Sequence, residues 1–339
     1  MEPSGQMPFE QITAPKQRKG WGGWKILWGL ITALSILANV VLFGLLFFVL
    51  TFAISGVSGR DYYQEVVIQK GPFMDKDKIV VINLEGVIDE NVSRDISAQL
   101  KQATADRKVK GLIISINSPG GLVSASDQIY NEIHKFRHES GIPVVAFMHG
   151  VAASGGYYAS VACEKIVAEP TTITGSIGVI LNYFVLQDLL EGKLGIEPVV
   201  IKSGLRKDWP SIYRKPSNEE LKYLEDTLVV YYYQRFVDIV AESRKALSVE
   251  QVRGLADGSI YSADKACKEK LIDKVGYFDE AVGEVLRLAG LESAKVVEYR
   301  HPFSWVNLLN MKADNVLKID RSTLTELSTP QIMYLWSIH

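Results

Sequence analysis

The run from Ile26 to Ile54, ILWGLITALSILANVVLFGLLFFVLTFAI, contains no charged residue. As a helix rising 1.5 Å per residue it reaches roughly 40 Å, enough to cross a ~30 Å hydrocarbon core with some tilt. A secretory signal core has only about 7–15 apolar residues, so this run reads as a retained anchor. Lys16, Arg18, Lys19 and Lys25 precede it, and the charge from Ser55 to Asp61 is balanced. The positive-inside rule then keeps the N-terminus in the cytoplasm and puts everything after residue 55 outside. Trp21, Trp24 and Trp28 fit an interfacial belt on the inner side.

The rest of the chain divides around that anchor into a cytoplasmic tail (1–25), the transmembrane segment (26–54), a linker (55–77), a folded domain (78–300) and a C-terminal tail (301–339). With 339 residues, 47% of them hydrophobic and 22% charged, there is enough apolar surface for a proper core. The net charge of −2 and the mixing of Lys and Arg with Asp and Glu leave no basic field for nucleic acid. Cys163 and Cys267 lie far apart with no second pair at zinc-like spacing, so they read as two separate thiols with no metal cluster.

Hydrophobic periodicity gives an α/β domain. Apolar, β-branched runs at 79–88, 111–117, 143–148, 165–169, 178–182, 197–203 and 295–299 read as strands. Helical spacing appears at 93–106, 122–138, from Ser154 onward, at 184–190, as one long helix over 218–247, and again at 248–255, 262–270 and 278–290. Alternation of this kind implies a mainly parallel sheet covered by helices. In the tail, Trp305, Leu308, Leu309, Tyr334 and Trp336 are apolar residues of an exposed type, suited to a partner chain or the membrane surface.

Four glycine-marked turns adjoin strand ends, where open α/β sheets place ligand sites: NSPGG (117–121), HGVAASGG (149–156), TGSIG (174–178) and SGLRKD (203–208). None matches a phosphate loop or the dinucleotide fingerprint, and position 152 is Ala, which breaks the G-x-S-x-G nucleophile elbow. If Ser154 attacks a carbonyl it needs a base. His149 precedes it by five residues and reads as structural. His134 and His138 share a helix face without the acid of a zincin motif, and His301 and His339 lie in the C-terminal region. A lysine serves instead if its amine is held neutral, and Lys207 in SGLRKD is the candidate, since arginine stays protonated. Gly121 and Gly155 stand where backbone N–H groups could form an oxyanion hole.

Together, NSPGG, ASGGYY, TGSIGV and the downstream G-x-x-K-D resemble the signal peptide peptidase A family in its short form, over roughly residues 78–290. The resemblance implies a membrane-anchored Ser/Lys serine endopeptidase of the Clp protease and crotonase-like fold, built from repeated ββα units, with no cofactor. It implies Ser154 as nucleophile, Lys207 as general base, Ser176 as the serine that holds the lysine, and Gly121 and Gly155 as oxyanion donors. It further implies a ring-shaped homo-oligomer with Ser and Lys on different protomers, acting on cleaved signal peptides and other extended peptides with small or hydrophobic residues at the cleaved bond. Trp209-Pro210 after the KD pair departs from the smaller residues expected there. Two other readings stand beside this one. A crotonase-like acyl-CoA enzyme would need carboxylates at the site, and a non-catalytic membrane scaffold would use the glycine turns only for packing.

Overall fold

In the computed structural model the described residues are 22–55, 63–71, 76–301 and 330–336. They fall into two units, divided between Arg60 and Asp61. The first holds a single helix, α1 (Gly23–Ser55), as its described part; its stretch Gly23–Val49 has a mean hydropathy of 2.4 and is long and apolar enough to cross a membrane.

The second unit begins with β1 (Gln64–Gln69), β2 (Lys78–Ile88), α2 (Glu90–Ala105), β3 (Val109–Leu122), α3 (Val123–Ser140), β4 (Val144–Ala153), the short α4 (Gly155–Ser160), β5 (Lys165–Ala168), β6 (Ile173–Gly175), β7 (Ile180–Asn182) and α5 (Gln187–Leu194). A helical run follows as α6 (Asn218–Leu224), a π-helical turn (Glu225–Val229) and α7 (Val230–Ser243), so the long helix read from the sequence is present with one wide turn in it. The remaining elements are α8 (Val249–Leu255), β8 (Ile260–Ser262), α9 (Ala263–Lys268), β9 (Lys274–Val275), α10 (Phe278–Ala289), β10 (Lys295–Arg300) and β11 (Gln331–Leu335).

The sheet runs β1-β10-β2-β3-β4-β5-β9, and every pairing from β10 to β9 is parallel. Strands of a parallel sheet are buried on both faces, which is why β2, β3 and β4 read as continuous apolar runs rather than alternating ones. Successive residues still point to opposite faces. Val80, Ile82, Leu112, Ile114 and Ala146 join the larger core, beneath α2, α3, α4 and α7. Ile79, Val81, Ile113, Val145 and Phe147 meet Ala281, Val282 and Val285 of α10 on the other side. Helix starts are set by local chemistry: Asp89 caps α2 by accepting from the Val92 N–H at 2.8 Å.

Besides the short strands β6, β8 and β9, three stretches differ from the sequence reading. Residues 64–69, within the 55–77 linker, form β1, paired antiparallel with β10. Residues 197–203 form no strand; Val199 is 80% and Ile201 96% exposed, and among the described residues no strand pairs with them. In the tail, Tyr334 is fully buried within β11, which pairs antiparallel with both β3 and β7, so this aromatic is core rather than exposed surface. Trp305, Leu308 and Leu309 lie outside the described residues.

The far edge of the sheet is tied by Asp273. Its carboxylate accepts from the Ile166 N–H at 2.9 Å and pairs with Arg244 at 2.7 Å and Lys165 at 3.1 Å. Burial pushes this carboxyl up, but Arg244, the Ile166 amide and Lys165 outweigh burial and hold it below its ordinary value of 3.8. A carboxylate depressed in the folded state stabilises above its unfolded pKa and loses that contribution as pH falls through the folded one. Asp273→Asn is therefore expected to cost about 2–3 kcal/mol at neutral pH. The thermal midpoints of the two detergent-solubilised proteins should converge as pH drops below about 4.

Candidate active site

The site is assembled where β3 and β4 end. At the end of β3, the Ser118 hydroxyl donates to the Gly86 carbonyl at 2.6 Å and accepts from the Gly120 N–H at 3.1 Å, which shapes the NSPGG turn. Gly120 has φ +98°, and a Cβ there would lie 2.0 Å from the Tyr334 carbonyl oxygen and 2.6 Å from the Gly155 nitrogen. A Cβ on Gly121 would lie 2.0 Å from the Ile88 carbonyl oxygen. Both glycines are required by backbone approach, and Gly120 by its positive φ as well.

Ser154 sits between β4 and α4 at φ 53° and ψ −113°, a strained conformation for a non-glycine residue. It is 1% exposed. Its N–H donates to the Gly175 carbonyl at 2.8 Å and its carbonyl accepts from the Tyr158 N–H at 2.8 Å, so strand pairing on one side and α4 on the other fix the strained residue. Gly155 opens α4, and a side chain there would strike the Ser126 hydroxyl at 2.5 Å.

Ser176 follows β6 and is likewise at positive φ, 49°. Its N–H donates to the Ser259 carbonyl at 2.8 Å. Ser154 and Ser176 line one cavity of about 560 Å³, together with Gly178–Ile180, Glu225, Tyr233, Asp257 and the last residues of β11 and beyond, Leu335 and Trp336. Gly121 is paired with Tyr334 of β11, the residue before Leu335 of that lining. The chain thus brings Ser154, Ser176, Gly121 and Gly155 into one region.

Lys207 is elsewhere. It is exposed and is not among the residues lining the Ser154 cavity. Its loop is nevertheless well held: Lys202 donates to Asp208 at 2.7 Å and to the Leu205 carbonyl at 3.0 Å, and the Lys207 N–H donates to the Gly204 carbonyl at 3.1 Å. Arg214 pairs with the buried Glu220 at 2.5 Å and approaches Asp208 at 3.7 Å. The Arg206 guanidinium stands 4.5 Å from the Tyr223 ring and 5.3 Å from Trp209, the aromatic that departed from the expected pattern.

The other nucleophile and base candidates have structural surroundings. His149 stacks on Phe147 with ring centroids 5.8 Å apart. His134 and His138 face each other on the exposed side of α3, with ring nitrogens 3.1 Å apart. Cys163 and Cys267 are not bonded to each other, and burial pushes the Cys163 thiol up to about 12, which makes it a poor nucleophile.

The family model for Peptidase family S49 matches residues 137–292, and that for Clp protease matches residues 67–172. The chain is 34% identical over 76% of its length to "Putative signal peptide peptidase SppA" of Enterococcus faecium, covering 81% of that protein. The chain belongs to peptidase family S49. It is accordingly a serine protease on a Clp protease-like α/β fold, which decides against the acyl-CoA and scaffold readings. Other S49 relatives are longer: "Protease 4" of Salmonella typhi is 33% identical over 70% of this chain, which spans 37% of it, and "Serine protease SPPA, chloroplastic" of Arabidopsis thaliana is 32% identical over 68%, with 34% of its length spanned. A solved structure, a point mutant of ClpP1 from Listeria monocytogenes, is similar over 60% of this chain and 94% of its own, at 19% identity and a TM-score of 0.41.

Sequence reasoning missed β11 as part of this S49 site. Its signal was the apolar run IMYLW (332–336) near the C-terminus, long enough for a strand but separated from the domain by about thirty residues.

Proposed function

We propose that this S49 protease is a membrane-anchored Ser/Lys endopeptidase that takes extended peptides, among them the remnants of cleaved signal peptides, on the extracytoplasmic side. The observation that carries the reading is β11, an extended peptide added antiparallel between β3 and β7 beside the Ser154 cavity. Strand addition satisfies the backbone of any extended segment whatever its sequence, which suits an enzyme of broad peptide substrates.

In this reading Ser154 is the nucleophile. Its Oγ attacks the peptide carbonyl, the Lys207 amine takes its proton, and the Gly121 and Gly155 N–H groups receive the oxyanion. The Ser176 hydroxyl holds the amine, the protonated lysine then supplies the proton to the leaving amine, and water releases the acyl-enzyme. Lys207 comes from a neighbouring copy in a ring. Two features support this: Lys207 lies off the Ser154 cavity, and the segment before it carries exposed apolar residues with a strand-like pattern, including Val199 and Ile201, that pair with no strand among the described residues. α5, which precedes that segment in the chain, buries none of its residues. Such a surface needs a covering partner, and a second copy supplies an edge for residues 197–203 to pair with.

The helix Gly23–Val49 supports a single-pass anchor, and the basic residues before it support a cytoplasmic N-terminus. Because β11 fills the peptide slot, a chain ending at residue 330 should cleave an added peptide with kcat/KM raised by about tenfold or more, since only the fraction of sites with the slot empty binds substrate. Peptide-cleavage kinetics of the two chains check this; equal values would mean that β11 leaves the slot freely.

A further inference from the structure

We infer that the anchor helix α1 binds the anchor of a second copy, in parallel and in register, through a carboxamide pair formed by the two Asn39 side chains at the middle of the bilayer. The inference rests on the reading of α1 as a membrane anchor and adds the contact that the anchor makes inside the membrane.

Asn39 stands midway along the charge-free run Ile26–Ile54, with residues 26–38 before it and 40–54 after it. At 1.5 Å per residue it lies about 20 Å from either end, too deep for so short a side chain to reach the headgroups. There is no water at that depth, so its polar atoms need partners within protein. A carboxamide carries two N–H donors and one accepting oxygen. One N–H is used: Nδ2 donates to the Ser35 carbonyl, one turn back on the same helix, at 2.7 Å. The second N–H and the oxygen have no partner among the described residues. Thr32 shows the contrast. Its hydroxyl donates to the Trp28 and Gly29 carbonyls at 2.9 and 3.0 Å, so its own helix satisfies it.

One free donor and one free acceptor are what a second carboxamide complements, since two such side chains can exchange N–H···O bonds reciprocally. The partner must place its carboxamide at the same depth. A second copy does so automatically, because every copy enters the membrane in the same direction and carries Asn39 at the same height. Thr32, Ser35 and Asn39 are spaced by three and then four residues, the spacing of a packing seam that Leu42 and Leu46 continue, so these three polar side chains share one face. Thr32 and Ser35 are small enough to let two backbones approach beside Asn39. In a parallel pair equal seam positions meet, Asn39 against Asn39. Leu37 and Gly44 lie on the opposite face.

The test uses the full-length chain in the membranes of the cells that make it, where all copies insert the same way. Single substitutions Ser35→Cys or Leu42→Cys on the seam, and Leu37→Cys or Gly44→Cys opposite it, are compared for disulfide-linked dimer after mild oxidation. The chain with only Cys163 and Cys267 is the control. Association of the folded domains raises all four yields alike, so the contrast between faces reports the helix contact. The seam positions should give about threefold or more dimer than the opposite ones. Adding Asn39→Leu to Ser35→Cys should remove that excess, with association weakened by about 3- to 30-fold, the usual range for a polar contact between membrane helices. Asn39→Gln keeps a carboxamide and should retain most of the excess. Asn39→Leu makes the helix more apolar, which preserves insertion, and unchanged peptide cleavage shows that the variant is folded. Equal yields at the four positions, or a seam excess that Asn39→Leu leaves intact, overturns the inference. So does a seam cysteine that links only to a protein of another size, which would give Asn39 a different partner. If alkaline carbonate washes the chain off the membranes, the anchor reading falls and the inference with it.

Discussion

Ser154→Ala is expected to lower kcat/KM on an unstructured peptide by ~10³-fold or more, with the thermal midpoint within a few degrees of the parent. The loss is large because the covalent step has no second hydroxyl at the same place: Ser176 lines the same cavity but follows β6, whereas Ser154 alone directly precedes Gly155 and α4. The fold tolerates the change because the strained backbone at position 154 is held by main-chain bonds to Gly175 and Tyr158, which alanine retains. The comparison needs both proteins in the same detergent, with cleavage followed by peptide mass. Retention of a tenth or more of the activity would place the nucleophile elsewhere.

Lys207→Ala is expected to be almost as damaging, by ~10²–10⁴-fold, the usual contribution of a general base. Because an amine accepts a proton only when neutral, kcat/KM of the parent should climb as pH rises through the alkaline range, and a flat profile from pH 5 to 10 would argue against a lysine base. The lysine loop keeps its shape in this variant, since Lys202, Asp208, Arg214 and Glu220 hold it without the Lys207 side chain. Loss of activity would then report the missing amine rather than a collapsed loop.

The legible part of the fold was the parallel sheet. The central stretches of β2, β3, β4 and β5 (79–82, 112–114, 144–148 and 166–168) are buried on both faces, so the sequence there is apolar without alternation. The NSPGG and ASGG turns were legible for a different reason. Their glycines answer to backbone contacts that leave no room for a side chain, as at Gly120 and Gly121. What the sequence hid depends on contacts distant along the chain. β1 finds β10 more than two hundred residues away, and β11 reaches back to β3 from the C-terminal tail. Residues 197–203 show the opposite failure, a strand pattern with no strand in the single chain, because β pairing needs a partner that local periodicity does not supply. Ser176 and Ser154 meet in one cavity, but that juxtaposition comes from β6 lying beside β4, which no local motif encodes.

In the proposed arrangement one copy's Ser154 works with another copy's Lys207. The direct measurement mixes two inactive proteins, Ser154→Ala and Lys207→Ala, dissociated and reassembled together in detergent. If the pair spans two copies, random reassembly at equal amounts places an intact serine beside an intact lysine at about a quarter of the sites, and peptide cleavage returns to roughly that fraction of the parent activity. If serine and lysine act within one chain, the mixture stays as inactive as either variant alone, and the proposed arrangement is wrong.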